Sequence, residues 1–263
     1  MSDFLEKNPW NALRQFTNAR IALGRAGNSL PTAPLLAFNL SHAQARDAVH
    51  HPLDADMLHE QLRTHAFTTL DVHSAAPDRE HYLRRPDLGR RLSEESREAL
   101  MQVTLEPPEV VFVIADGLSA FAASKQSIPL LNAVRLRLTD WTIGPVVVAR
   151  QARVALGDEI GEILKTKLVV MLIGERPGLS SPDSLGIYLT YAPKVGCSDA
   201  QRNCISNVRP EGLNYDAAAH KLHYLLTHAR QLGLTGVGLK DDSDALLGHA
   251  EPEAAEIPAP PSD

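Results

Sequence analysis

The chain has 263 residues, of which 44% are hydrophobic and 22% charged, and its formal net charge is −6 at pH 7. These values favour a folded globular protein of one large or two small domains. No block rich in lysine and arginine stands out, which argues against nucleic-acid binding through a basic patch, and no apolar run approaches the roughly 18 residues that span a bilayer.

The N-terminal segment, residues 1–16, is amphipathic and lacks the apolar core of a signal peptide. This composition predicts a cytoplasmic protein. Cys197 and Cys204 match no zinc-binding spacing, and in a reducing compartment we expect no disulfide between them.

Residues 1–105 predict a mostly helical region that prolines break into short pieces. Helical patterns cover Ala43–Val49, Met57–Leu62 and Ser93–Val103, the last with Ser93 as its N-cap. The prolines that follow Glu106 mark a boundary. We therefore predict a helical N-terminal region over residues 1–105 and an α/β domain over residues 106–240.

Beyond this boundary, apolar segments that predict strands alternate with amphipathic segments that predict helices. The strands are Glu109–Gly117, Ile143–Arg150, Lys167–Gly178 and Leu185–Pro193, and the helices are Ile128–Leu138, Ala155–Lys165 and Tyr215–Leu232. Continuous β-branched runs are typical of a sheet covered on both faces, so the sequence predicts an α/β fold with a Rossmann-like parallel sheet. Residues 241–263 are rich in Asp, Glu, Ala and Pro, which predicts a disordered tail.

The common catalytic signatures, GxGxxG, Walker A and GxSxG, are absent from the sequence. The segment HEQLRTH, His59–His65, places its histidines six apart, so they do not share a helix face, and we interpret it as a surface helix. The segment Asp71–Asp78 begins like the DxHxxG loop that gives a histidine to cobalt in some cobalamin proteins. Because Ala76 stands where that loop has glycine, we interpret the segment as an ordinary loop.

Two turns at predicted strand ends, Asp116-Gly117 and Glu175–Gly178, are the remaining candidates for chemistry, because ligands of α/β sheets bind at the carboxyl ends of the strands. Glu175 is suited to accept hydrogen bonds from amides, but a Glu-Arg pair that caps a surface turn explains the pattern equally well. The segment Arg202–Gly212 mixes soft and small polar residues, which suits a loop against a large ligand. Cys204 in that segment is alternatively a buried core cysteine.

Several of these segments together resemble the small subunit of ethanolamine ammonia-lyase. They are Ala19–Thr32, Ala45–His50, Ile114–Ala120, Ala152–Glu162, Ile173–Pro193 and Arg202–Leu213. The pair GERPGL and RNCISN at this distance is specific to that family, and the resemblance runs from about residue 19 to residue 240.

The resemblance implies an enzyme that splits ethanolamine into acetaldehyde and ammonia with adenosylcobalamin as its radical source. A TIM-barrel large subunit holds the substrate and the catalytic residues, and a Rossmann-like small subunit closes over the cobalamin between the two chains. The cofactor keeps its own benzimidazole base on cobalt, in agreement with the altered DxHxxG segment. The location implied is the cytoplasm or a bacterial microcompartment.

The resemblance also implies three cofactor-binding residues in this chain, Val154, Glu175 and Cys204, and no catalytic residue. Val154 supplies an apolar or backbone contact, Glu175 accepts from an amide, and Cys204 packs its side chain or presents its backbone. The segment around Arg20–Pro31 is a candidate for the subunit interface, and it suits domain packing equally well.

Two other functions stay open when the residues are considered alone. One is a stand-alone α/β hydrolase or transferase with Asp116 or Glu175 as its base, and the other is a scaffold protein without a cofactor. The lack of a nucleophile–base pair or a phosphate-binding loop argues against the first.

Overall fold

The computed structural model describes residues 8–243, so nearly all of the predicted disordered tail lies outside the described residues. A single six-stranded sheet organises this part of the chain, in the order β1-β3-β2-β4-β5-β6. Its strands are β1 Thr69–His73, β2 Val110–Ala115, β3 Val146–Arg150, β4 Leu168–Gly174, β5 Leu185–Tyr191 and β6 Arg202–Val208.

Between residues 8 and 243, seven α-helices surround the sheet or precede it. They are α1 Thr32–His50, α2 Ala55–Thr64, α3 Arg79–Arg84, α4 Glu94–Met101, α5 Ala120–Arg135, α6 Leu156–Ile163 and α7 Tyr215–Leu232. Short 3₁₀ helices occur at Pro9–Gln15, Leu88–Arg90, Asp199–Gln201 and Gly236–Gly238.

The two faces of the sheet carry separate hydrophobic clusters. Alternate residues of the strands pack against α2, α5 and α7 in the larger cluster, on the side that we call the α7 face. The other residues pack against α4 and α6 in the smaller cluster, on the side that we call the α6 face. Because β2 and β4 are buried over their whole lengths, both are continuous apolar runs in the sequence, as covered strands require.

The α/β class and the helical N-terminal region are confirmed, while the Rossmann-like character stays a prediction. Helix α7 begins and ends as predicted, with the Asn214 side chain accepting from the Ala217 amide and Gly233 in the left-handed conformation at φ 69°. Helix α5 begins eight residues earlier than Ile128, because Ser119 caps it and Pro129 lies inside it.

The prediction of an entirely parallel sheet is wrong for its last two strands. Strands β1, β3, β2 and β4 are parallel, but β5 runs antiparallel to β4 and β6 antiparallel to β5. Residues 175–184 join β4 to β5 without a helix, and a connection this short suits antiparallel neighbours, because a parallel crossover needs a dozen or more residues.

The interpretation of Asp71–Asp78 as a loop is wrong for its first three residues, which belong to β1, while the remaining five lie between β1 and α3. This strand pairs in parallel with β3 at the edge of the sheet and is only partly buried, so its sequence lacks the continuous apolar run of the central strands. The sheet thus takes one strand from residues 1–105, and the domain division at residue 106 stays a prediction. Over residues 8–243, no helix is both long and apolar enough to cross a membrane.

Candidate functional site

The carboxyl ends of the parallel strands gather the predicted turns at one edge of the sheet. Asp116 follows β2, Gln151 follows β3 and Glu175 follows β4. Strand β5 begins and β6 ends at this same edge, because both run antiparallel to their neighbours. The antiparallel pair therefore extends the edge where ligands of α/β sheets bind.

Asp116 serves the backbone of the neighbouring turn. Its side chain is buried, and its carboxylate accepts from the amides of Gln151 (2.9 Å) and Ala152 (3.0 Å) and from Arg79 (3.3 Å). These contacts fix Gln151 at a positive φ of 55°. Desolvation raises the pKa of Asp116, against the pull of Arg79 and the two amides. A buried carboxylate with these partners is a structural anchor, which argues against Asp116 as a base.

Glu175 lies between the ends of three strands. Its amide donates to the Ser184 carbonyl (3.0 Å), and its carboxylate accepts from the Ser184 hydroxyl. The Asn207 amide, at the end of β6, also donates to this carboxylate at 3.3 Å. Asn207 has a φ of 59°, a conformation that asparagine tolerates better than most residues. The carboxylate is thus held in place while part of the residue stays exposed.

Gly186 makes room for that carboxylate on the α6 face of β5. A Cβ at this position would lie 3.1 Å from Glu175 Oε1 and 3.3 Å from Tyr188 Cε2. Both distances are tighter than ordinary contacts of a Cβ, so a larger residue would push the Glu175 side chain or the Tyr188 ring away. The glycine therefore lets Glu175 lie over the strand beside Tyr188.

Cys204 lies on β6, so the interpretation of Arg202–Gly212 as a loop is wrong for Arg202–Val208. These residues form a strand because they pair with β5, and a local sequence pattern does not reveal such a pairing. The alternative of a buried core cysteine is wrong as well, since Cys204 is exposed, and both Cys197 and Cys204 are free thiols. The next residue, Ile205, faces the hydrophobic cluster on the opposite side of the sheet, as strand alternation requires.

Tyr188 lies directly opposite Cys204 in the strand register, and no sequence pattern marks it as a site residue. As direct cross-strand partners, their side chains are neighbours on the α6 face. Desolvation, then Cys204 and Glu175, raise the pKa of Tyr188 to about 12. Partial removal of water from its thiol, with a smaller effect of Glu175, raises the pKa of Cys204. Glu175, Tyr188 and Cys204 thus form one group on the α6 face, with both the phenol and the thiol neutral.

Val154 reaches the same face of the sheet from the turn that follows β3. It is partly buried against the hydrophobic cluster of the α6 face, as Tyr188 is. The preceding residue, Arg153, stacks on the ring of the buried Tyr82 at 4.3 Å, and its amide donates to the Gly89 carbonyl (2.8 Å). The sheet therefore brings all three predicted residues to one face, and it adds Tyr188 to them.

A buried ion pair fastens β6 to α6. Arg202, the first residue of β6, donates to both oxygens of Asp158 at 2.6 and 2.7 Å. Both side chains are 2% exposed. The first turn of α6 thereby fixes the start of the strand that carries Cys204 two residues later.

Another buried carboxylate, Asp183, joins the turn between β4 and β5 to α5. It accepts from Lys125 (2.6 Å) and Gln126 (3.2 Å) and lies 3.5 Å from Arg209. Burial alone would raise the pKa of Asp183, but Lys125 and then Arg209 outweigh that effect and lower it. Polar contacts thus hold both ends of the connection between β4 and β5, at Glu175 and at Asp183.

The predicted surface helix with His59 is confirmed, since that residue lies on α2, which carries only Leu58 and Leu62 as buried residues. Within residues 8–243 no group of three His, Cys, Asp or Glu side chains is arranged to hold a metal ion.

Comparison with known proteins adds the family. The sequence model of one protein family, the ethanolamine ammonia-lyase light chain (EutC), matches residues 7–240 of this chain. An ethanolamine ammonia-lyase small subunit from Ralstonia nicotianae is 54% identical over 246 residues, which cover 92% of this chain and 91% of the relative. Small subunits from Pseudomonas fluorescens (strain Pf0-1) and Azotobacter vinelandii are each 54% identical, over 250 residues (93% and 91%) and 243 residues (90% and 90%).

This chain belongs to the ethanolamine ammonia-lyase small-subunit family.

The family match confirms the resemblance and begins earlier than expected, at residue 7 rather than about residue 19. Val154, Glu175 and Cys204 all lie within the matched range. Membership of an ammonia-lyase subunit family favours an enzyme subunit over both alternatives, the stand-alone hydrolase or transferase and the scaffold protein.

Proposed function

We propose that this small subunit joins a large subunit to form an adenosylcobalamin-dependent ethanolamine ammonia-lyase, and that it covers the cobalamin at the interface between the two chains. The complex converts ethanolamine to acetaldehyde and ammonia. The large subunit, a TIM barrel, holds the substrate and the catalytic residues. The complex works in the cytoplasm or inside a bacterial microcompartment.

The observation that carries this proposal is the open α6 face of the β5–β6 pair. A carboxylate that is fixed by Ser184 and Asn207, a neutral phenol and an exposed thiol lie together there, and Val154, an apolar residue from the β3 turn, packs on the same face of the sheet. Acceptors and apolar surface in this combination fit the rim of a corrin, which is an apolar ring bordered by amides.

The residues of this chain bind and orient the cofactor. Val154 packs against the ring edge, Glu175 accepts a hydrogen bond from an amide, and Cys204 packs its small side chain. When bound, the cofactor supplies the radical chemistry. We expect neither Asp116 nor Glu175 to act as a base, since Asp116 holds the Gln151 turn and Glu175 accepts from the cofactor amide.

Covering a cofactor of this size requires broad contact with the partner. We expect the two subunits to bury more than the roughly 1,200 Å² of a small complex.

The test is reconstitution. This chain, the large subunit and their mixture are each incubated with adenosylcobalamin and ethanolamine, and acetaldehyde release and bound cobalamin absorbance are measured. The proposal expects stoichiometric bound cobalamin and acetaldehyde only in the mixture. A mixture of two folded chains that stays colourless and inactive contradicts it.

A further inference from the structure

A pair of side chains on the α6 face has the chemistry to recognise both ends of one primary carboxamide. The carboxylate of Glu175 only accepts hydrogen bonds, whereas the phenol of Tyr188 can donate one. A primary carboxamide carries N–H donors and a carbonyl acceptor side by side, so it needs one partner of each kind.

The two groups lie close enough together to act as a pair. Glu175 Oε1 and Tyr188 Cε2 are 3.1 and 3.3 Å from the same point above Gly186, and Cε2 neighbours the carbon that carries the phenol oxygen. Tyr188 is partly exposed, so a ligand can reach its hydroxyl from the open side of the face.

The present partner of the phenol is weak and replaceable. The cross-strand neighbour of Tyr188 is the thiol of Cys204, and a thiol is a poor acceptor compared with an amide carbonyl. The pKa of Tyr188 is about 12, so the hydroxyl keeps its proton at neutral pH and remains a donor.

The carboxylate also has acceptor capacity left. A carboxylate offers about four lone-pair sites, and Ser184 and Asn207 donate to Glu175 from the side of the strand ends. Those two donors fix the carboxylate without saturating it, which is the arrangement a binding group needs.

We propose that Tyr188 is a fourth cofactor-binding residue, and that Tyr188 and Glu175 together hold one side-chain carboxamide of the cobalamin. Glu175 accepts from the amide nitrogen, and Tyr188 donates to the amide oxygen, leaving the Cys204 thiol to pack against the ring edge. This inference rests on the proposed function and assigns the chemistry of one contact within it.

The first experiment measures hydroxocobalamin binding to the assembled two-subunit complex by visible absorbance after equilibrium dialysis. Tyr188→Phe should weaken binding roughly three- to tenfold, because one hydrogen bond is lost. Tyr191→Phe is the matched control, since Tyr191 lies on the same strand but packs on the α7 face, and its binding should equal that of the unchanged complex.

The second experiment tests the carboxamide itself, with cobalamin monocarboxylates in which a single side-chain amide has become a carboxylate. The unchanged complex should reject one of these derivatives, because Glu175 repels the new charge. Glu175→Gln should bind that derivative more tightly than the unchanged complex does, since a glutamine amide can donate to a carboxylate.

The outcomes separate the two proposals. An unchanged complex that binds no cobalamin overturns the proposed function. If the unchanged complex binds cobalamin but Tyr188→Phe binds it equally well, or Tyr191→Phe loses as much, the assignment of Tyr188 is wrong and the proposed function stands. Equal affinity of the unchanged complex for all the monocarboxylates also overturns the carboxamide assignment.

Discussion

At the scale of single residues, the site depends on how Glu175 is held. Its carboxylate takes donors from Ser184 and Asn207, and its position over β5 exists because residue 186 has no side chain. A binding group fixed in this way loses little conformational entropy when the ligand arrives.

Glu175→Ala should weaken cobalamin binding by the complex by about 1–3 kcal/mol, because a buried amide donor of the ligand would be left without an acceptor. Bound cobalamin absorbance measures the effect. Glu98→Ala, an exposed change on α4, is the control and should leave binding unchanged. Full retention by the Glu175 variant, with the fold intact, would contradict its binding role.

Gly186→Ala tests whether the missing side chain at residue 186 is needed to place Glu175 and Tyr188. The added methyl group would crowd Glu175 Oε1 and the Tyr188 ring, so we expect cobalamin affinity to fall by about as much as in the Glu175 variant. The near-ultraviolet circular dichroism of the variant should report a moved tyrosine. Unchanged affinity would show that the position of the carboxylate is not important.

Among the secondary-structure elements, β6 is held in the sheet by a side-chain ion pair as well as by its backbone hydrogen bonds to β5. It is an edge strand with exposed polar residues, and the Arg202–Asp158 pair ties its first residue to α6. Such a pair adds little net stability when intact, but loss of one partner leaves a buried charge.

Asp158→Asn should therefore lower the free energy of unfolding by about 3–5 kcal/mol, because Arg202 would be buried without a counter-charge. Urea denaturation measures this loss. Asp199→Asn is the matched control, since Asp199 also lies near Arg202 but its side chain is 97% exposed, and that change should cost no more than about 0.5 kcal/mol. Equal effects of the two changes would contradict the argument.

The hydrogen bonds of Asp183, which join the β4–β5 turn to α5, should stabilise the fold in a pH-dependent way. Because the pKa of Asp183 is lower in the folded chain than in the unfolded one, its contribution is full above the unfolded pKa of about 3.9 and is lost as the pH falls through the folded value. Asp183→Asn should cost about 1.5–3 kcal/mol near neutral pH, with the difference from the unchanged chain shrinking below roughly pH 4. Urea midpoints across this range measure it, and a difference that grows on acidification would contradict the sign.

At the scale of the whole molecule, the N-terminal segment contributes little to the core. No residue between 8 and 30 is buried, and the contact of Arg20 with the Leu179 carbonyl (3.3 Å) joins this segment to the turn that carries Glu175. Of the two interpretations of Arg20–Pro31, this exposure favours the subunit interface over domain packing.

Removal of residues 1–30 should thus change the free energy of unfolding by less than about 1 kcal/mol while weakening binding of the large subunit at least tenfold. Urea denaturation and co-elution with the large subunit measure the two effects. A large loss of stability with normal assembly would support domain packing instead.

Elements whose signals are local were predictable from the amino-acid sequence alone. Strand β4 is apolar over its whole length because both of its sides are covered, and α7 shows a buried stripe between an asparagine cap and a glycine cap. The motifs GERPGL and RNCISN also pointed to the family, because they are specific in themselves.

Features that depend on pairing between distant segments became visible only in the folded chain. The direction of β5 and β6, the strand at Thr69–His73 and the exposure of Cys204 all follow from which strand lies beside which, and a local pattern does not encode that choice. For the same reason, Tyr188 joined the site only once the register placed it opposite Cys204, next to a carboxylate that residue 186 leaves room for.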